Sequence, residues 1–324
     1  MRPLPRLAGL TLLALAALGL ALSVGSVALS PAQVARALWL DDGSIPARIL
    51  HELRLPRALS AFAIGALLAL AGALIQVLLR NPLGDPYVLG VSGGASLAVL
   101  LGMLLGLPLE WQPSAAFAGA LASMLLLALL VHGRAWATDR LLLTGVLLAS
   151  GWSALISFVL SLGPPGQLPG MLFWLMGDLS DALHPALSWS ALALGLGLAL
   201  LLAPSLNVAG RGVLRARALG VEPGPLHAKI YFLSSGLTAV AVSQAGAIGF
   251  VGLVAPHLAR LLLGTDHRWL LPGAALTGGS LLLLADTAAR TLIAPMQLPV
   301  GVFTALLGVP LFLYLLGRTP APPP

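Results

Sequence analysis

Long stretches without a charged residue limit what this chain can fold into more than any other feature. Residues 7–29, 58–79, 87–109, 111–131, 185–206, 230–256 and 291–317 are uncharged and rich in Leu, Ala and Val. At a rise of about 1.5 Å per residue, such runs cross a hydrocarbon layer of about 30 Å. An unpaired backbone group costs several kcal/mol in lipid, so only helices and closed barrels span it. The runs lack the short alternating segments of barrel strands, which selects helices. With 58% hydrophobic and 9% charged residues, the chain has too little polar surface for a soluble fold. The expected fold class is an all-α polytopic membrane protein, a single transmembrane domain over 1–324.

The pattern predicts ten transmembrane helices, near 7–29, 56–79, 87–108, 113–132, 140–163, 185–204, 230–246, 249–263, 270–290 and 299–317. Only Ala245-Gly246-Ala247-Ile248-Gly249 separates the seventh from the eighth, and it reads as a break. With both termini in the cytoplasm, twelve of the 17 basic residues and four of the 11 acids fall on the inner side. The outer side then holds five basic and seven acidic residues, as the positive-inside rule requires. That asymmetry accounts for the net charge of +6 with no nucleic-acid partner. The first run, behind Arg2 and Arg6, is longer than the apolar core of a signal peptide and reads as a retained helix.

Residues 30–55 are expected to form an outer loop, with Ser30-Pro31 starting a short surface helix. Residues 164–184, which include Pro164-Pro165-Gly166, Trp174 and Asp178, read as a re-entrant or outer-interface segment. In the cytoplasmic segment 207–229 a short helix over 212–219 is predicted, ended by Gly220. Spacing alone leaves it open whether that segment docks a partner or only connects. The proline-rich end, 319–324, is expected to be a disordered tail. Ala71-Gly72-Ala73-Leu74, with Val77, Leu79 and Pro82, recurs at identical spacing as Ala245-Gly246-Ala247-Ile248, with Val251, Leu253 and Pro256. An inverted-topology repeat would give such an echo.

Catalytic equipment is sparse. The single lysine, Lys229, stands outside any Gly-Lys-Ser/Thr phosphate loop, so the chain is not expected to hydrolyse ATP itself. The six histidines form no His-x-x-x-His pair and there is no cysteine, so no metal site is predicted. His257 reads as a packing residue near the inner face. Asp286 lies inside a span, four residues before Arg290, where the two can pair along one helix face. The alternative is that it carries a proton or Na⁺ in an ion-coupled secondary transporter. Gly65 to Gly72 suit close helix packing, and Gln76 an interhelical hydrogen bond. The balance points to a conduit.

Several motifs coincide in order along nearly the whole chain. They include Arg54-Leu55-Pro56-Arg57, Arg80-Asn81-Pro82-Leu83-Gly84-Asp85-Pro86, Phe173-Trp174-Leu175-Met176-Gly177 and Ala218-Leu219-Gly220-Val221. Gly246 to His257, Thr265-Asp266-His267-Arg268, Ala285 to Arg290 and Leu298-Pro299-Val300-Gly301 complete the set. This pattern resembles the FecCD family, the permeases of ATP-driven, binding-protein-dependent importers for iron-siderophores, haem and vitamin B12. The vitamin B12 permeases look nearest through 264–290.

The resemblance implies a homodimer in the cell inner membrane, with two ATP-binding cassette subunits inside and a substrate-binding protein outside. It implies no cofactor on this chain, ATP and Mg²⁺ being used by the partner ATPase. Arg54, Arg57 and Arg290 match positions that meet acidic residues of the binding protein. Arg215, Ala216, Arg217, Ala218, Leu219, Gly220 and Val221 would couple to the ATPase. The fifth and tenth spans would line the pathway, and Asn81, Leu83, Thr138 and Asp139 would narrow it at the cytoplasmic end. Two positions depart from the family pattern: Gln297 replaces the usual acid before Leu-Pro-x-Gly, and Gly84 replaces an alanine.

Overall fold

A computed structural model describes residues 3–318 except 26, 28, 41, 133–135, 183, 211 and 295; the tail expected over 319–324 lies outside the described residues. In chain order the helices are α1 (Pro3–Ser23), α2 (Pro31–Trp39), α3 (Ile45–Arg48), α4 (Leu55–Leu78), α5 (Val91–Leu104), α6 (Gln112–Val131) and α7 (Thr138–Leu162). They continue as α8 (Leu168–Met176), α9 (Pro185–Ala209), α10 (Val213–Ala218), α11 (Pro223–Ala245), α12 (Val251–Leu263), α13 (His267–Ala289) and α14 (Val300–Arg318). No strand occurs among the described residues. The predicted spans correspond to α1, α4, α5, α6, α7, α9, α11, α12, α13 and α14. Among the described residues six units are long and apolar enough to cross a membrane unaided: α1, the α3–α4 unit, α6, α7, α9 and α13.

α4 is the hub. It packs against α9, α11, α12 and α13, and nearly every residue from Ala58 to Leu78 is buried. Small residues allow the approach. A Cβ on Gly65 would overlap the Gly278 carbonyl of α13, and one on Gly72 would overlap the Gly252 carbonyl of α12. Backbones this close gain dispersion contacts that replace the missing hydrophobic drive between helices in lipid.

Two connectors enter the bundle and meet. The chain leaves α11 at Gly246, whose φ of 67° suits glycine, and stays unwound to Phe250. The expected break between the seventh and eighth spans is therefore present. Gly252, at the start of α12, lies against Leu68 and Gly72 near the middle of α4, and Pro86 touches the same glycine. Both the 246–250 break and the Pro86–Leu89 turn thus lie at mid-depth, where backbone polar groups need partners. The Ile248 amide donates to the Tyr87 hydroxyl at 3.0 Å.

The segment 30–55 is more helical than a loop. Ser44 caps α3, Ile49–Arg54 continues as a π-helical stretch, and α4 follows without interruption. Pro56 stands in the first turn of α4, where proline is tolerated, directly after the wider turn closed by the Leu55 amide on the Leu50 carbonyl. The 71–82 and 245–256 echo does not extend to local structure: 71–78 lies within α4, whereas 246–250 is unwound.

Candidate functional site

Arg54, Arg57 and Arg290 converge at one end of the bundle, the arginine end. Arg54 is 5% exposed and donates to the carbonyls of Leu22 (2.8 Å), Ser23 (3.1 Å) and Val27. It satisfies the orphan carbonyls that end α1, where a cation also complements the helix dipole. One turn on, Arg57 donates Nη2 to Asp286 Oδ1 at 2.7 Å and Nη1 to Gln297 Oε1 at 3.0 Å. Arg290 donates to the Ala21 carbonyl at 2.6 Å, and its Nε lies 3.6 Å from Asp286 Oδ2. The Asp286–Arg290 pairing expected along one face of α13 is present, and Arg57 makes it a triad. Gln297 Oε1 also accepts from Ser180 at 3.2 Å, so the cluster ties α1, α4, α13 and the segments before α9 and α14 together.

All three arginines are thus engaged inside the chain. Arg36 and Arg48 are exposed cations of this end, 71% and 68% exposed. They stand 3.3 Å from Asp42 and 3.4 Å from Glu52 respectively. Hydrogen bonds from Ser44 hold the Asp42 carboxyl below its usual range, with Arg36 adding to the effect. Sequence reading did not single out either arginine; the Arg48–Glu52 spacing of four was the available signal. Between the last turn of α11 and the 178–184 segment lies a cavity of about 850 Å³. Its lining mixes Trp174 and Phe173 with Gln112, Asp178, Asp181 and Gln244.

At the opposite end, Thr138 donates to the Leu78 carbonyl at 3.1 Å, pinning the start of α7 to the end of α4. The turn that follows α4 holds Asn81, whose side chain accepts the Leu83 amide at 2.9 Å. Asn81, Leu83, Thr138 and Asp139 therefore share this end, with Leu83 and Asp139 exposed. The short helix expected over 212–219 is α10. Ala216 faces inward, Arg217, Ala218, Leu219 and Gly220 are exposed, Val221 is half-buried, and Gly220 has a φ of 77°. The Arg215 side chain lies outside what the structure describes.

Asn207, in the last turn of α9, was missed by sequence reading. Its Oδ1 accepts the His267 amide at 2.8 Å and its Nδ2 donates to Asp266 at 2.7 Å. Asp266 also accepts the Arg268 amide; these hydrogen bonds, the Arg268 one foremost, hold its carboxyl below the usual range. The chain entering α10 is thereby fixed to the α12–α13 turn. Gln76 makes the expected interhelical bonds, donating to the Leu253 carbonyl at 3.3 Å and accepting from Arg260 at 2.8 Å. His257 packs edge-on against Phe312.

A multi-pass bundle with an ionic clamp at one end, a short exposed helix at the other and two chain breaks meeting inside has the build of a membrane transport permease. The chain belongs to the FecCD transport family, whose model matches residues 12–318. It is 39% identical over 325 residues to the hemin transport system permease protein of Yersinia pestis, covering 95% of this chain and 94% of that one. It is also 39% identical over 310 residues to the vitamin B12 import system permease protein of Serratia proteamaculans, covering 92% and 88%. A solved metal-chelate type ABC transporter in an inward-facing conformation superposes with a TM-score of 0.85 at 32% identity, over 98% of this chain and 100% of that one.

Proposed function

We propose that this chain is the membrane permease of an ATP-driven importer for a large metal chelate, a corrinoid such as vitamin B12, a haem or a ferric siderophore. The observation that carries the reading is the full-length likeness to a metal-chelate type ABC transporter, joined to relatives named for hemin and vitamin B12. In this reading both termini are cytoplasmic and the arginine end faces out of the cell, in the inner membrane. Two ATP-binding cassette subunits hydrolyse MgATP against Arg215–Val221, the second half of α10 and the turn that follows it, and the chain itself holds no cofactor. The cytoplasmic gate is Asn81, Leu83, Thr138 and Asp139.

The chain works as a homodimer. Only 11% of the apolar window of α7 is buried, and Leu143, Leu147 and Leu306 on α7 and α14 are more than half exposed. Two copies joined along these helices enclose a pathway lined by neutral side chains. A substrate-binding protein docks on the arginine end. There Arg54, Arg57 and Arg290 supply a fixed positive base, and Arg36 and Arg48, whose pairs with Asp42 and Glu52 are exposed, make the direct contacts.

Ion-coupled secondary transport has less support, since its best candidate carboxylate, Asp286, is already shared by two guanidiniums. The deciding test is co-purification with the products of neighbouring genes, followed by uptake of cyanocobalamin, haem and ferric siderophores into proteoliposomes. ATP-dependent uptake of one of these, only with the partners present, supports the importer. Uptake by the chain alone on an ion gradient would overturn it.

A further inference from the structure

A groove of about 670 Å³ runs down the outside of the bundle between α9 and α11, with Phe117 of α6 at one end and Lys229 at the other. Its walls are apolar throughout: Leu194, Leu198, Leu201 and Phe232 are all well exposed. Gly236 forms part of the floor, with open space over its Cα. From Lys229 to Val240 along α11 is about 16 Å at 1.5 Å per residue, close to one leaflet of a hydrocarbon layer about 30 Å thick. Lys229 is the only lysine of the chain, is exposed, and has no hydrogen bond or ion pair among the described residues. Its long stem lets the ammonium reach headgroup level while the methylenes stay on the groove.

We propose that this groove binds an anionic phospholipid, with one acyl chain along α9 and α11 and the phosphate at Lys229. An apolar slot one leaflet deep fits an acyl chain, and an unpaired ammonium at its mouth supplies the complementary charge. The lipid comes from the leaflet on the α10 side, which is the cytoplasmic leaflet in the orientation proposed above. The site stands apart from the arginine cluster and from the exposed faces of α7 and α14, and its two walls, α9 and α11, are helices against which α10 packs.

The test is native mass spectrometry of the purified full chain in detergent, titrated with phosphatidylglycerol or phosphatidylcholine of matched chains. One lysine near a phosphate favours the anionic lipid about fivefold. Lys229→Gln is expected to remove that preference without changing phosphatidylcholine retention, and Lys229→Arg to keep it. Gly236→Leu, which fills the floor, is expected to lower retention of both lipids, with size-exclusion profiles matching the parent's. Inorganic phosphate is expected not to displace the lipid, since the acyl chain supplies part of the binding. Equal retention of the two lipids by the parent, or a preference that survives Lys229→Gln, would show annular lipid only and overturn the proposal. Displacement by inorganic phosphate would reduce the site to a surface anion contact and overturn it equally.

Discussion

Arg57 and Asp286 lie 229 positions apart in the chain and meet at 2.7 Å, with the Asp286 side chain 1% exposed. Forming such a pair gains little net stability, because desolvation offsets most of the attraction, but removing one partner strands the other charge. Asp286→Ala would leave Arg57 and Arg290 facing each other without a counter-ion. A loss of about 3–5 kcal/mol is expected, typical for breaking a buried ion pair. Thermal unfolding in detergent, followed by size-exclusion recovery, measures it. A melting curve like the parent's would show that the cluster is not a clamp.

The same burial changes how binding-protein docking must be tested. Glutamate at Arg54 or Arg57 is expected to damage the fold as well as any docking surface, because both guanidiniums hold internal partners. Arg36→Glu with Arg48→Glu removes only exposed pairs, which contribute about 0–1 kcal/mol each. That double variant is expected to fold normally and to weaken association with the binding protein, chiefly through a slower on-rate at low salt. Surface plasmon resonance at two ionic strengths checks it. An unchanged on-rate would remove Arg36 and Arg48 from the docking surface.

Tyr87 offers a test of the two meeting connectors. Its hydroxyl accepts the Ile248 amide, which has left the helical ladder at mid-depth. Tyr87→Phe leaves that donor unsatisfied, at a cost of about 1–3 kcal/mol. Faster hydrogen exchange across 246–250 is expected, with the rest of α11 unchanged. Equal exchange would mean that the hydroxyl is not what holds the break.

Most spans were legible in the sequence because long uncharged runs need no tertiary information, whereas α5 and α12 are short helices and the run 230–256 had to be divided at its glycines. The break after Ala245 was legible for a local reason too: Gly246 adopts a φ that other residues avoid. What stayed hidden depends on distance along the chain. Asp286 and Arg290, four apart, could be paired by helix geometry, but nothing local joins Arg57 to Asp286 or Arg54 to the end of α1. Outer arginines therefore read as available surface, although the structure turns them inward. Residues 45–54 were expected within an outer loop and are helical instead, because Ser44 caps α3 with Pro46 in its first turn and the π-helical stretch runs straight into α4. Asn207 was invisible because a single asparagine beside a helix end has many ordinary uses.

Asn207 gives the sharpest test of coupling. It joins the end of α9 to the α12–α13 turn through Asp266 and the His267 amide, just before the chain enters α10. The site is partly exposed, so losing these bonds is expected to cost only about 1 kcal/mol of stability. If α10 passes the ATPase stroke to the bundle, slack at this joint lets α10 move without carrying α12 and α13 along. Asn207→Ala is then expected to raise the ATP hydrolysed per substrate imported several-fold while assembly with the ATPase stays intact. Asn207→Asp, which sets a second carboxylate against Asp266, is expected to act more strongly. Reconstituted uptake and ATPase rates measured on the same vesicles give the ratio. Should both variants keep the parent's ratio, the force does not pass through this joint, and Asn207 only ends a helix.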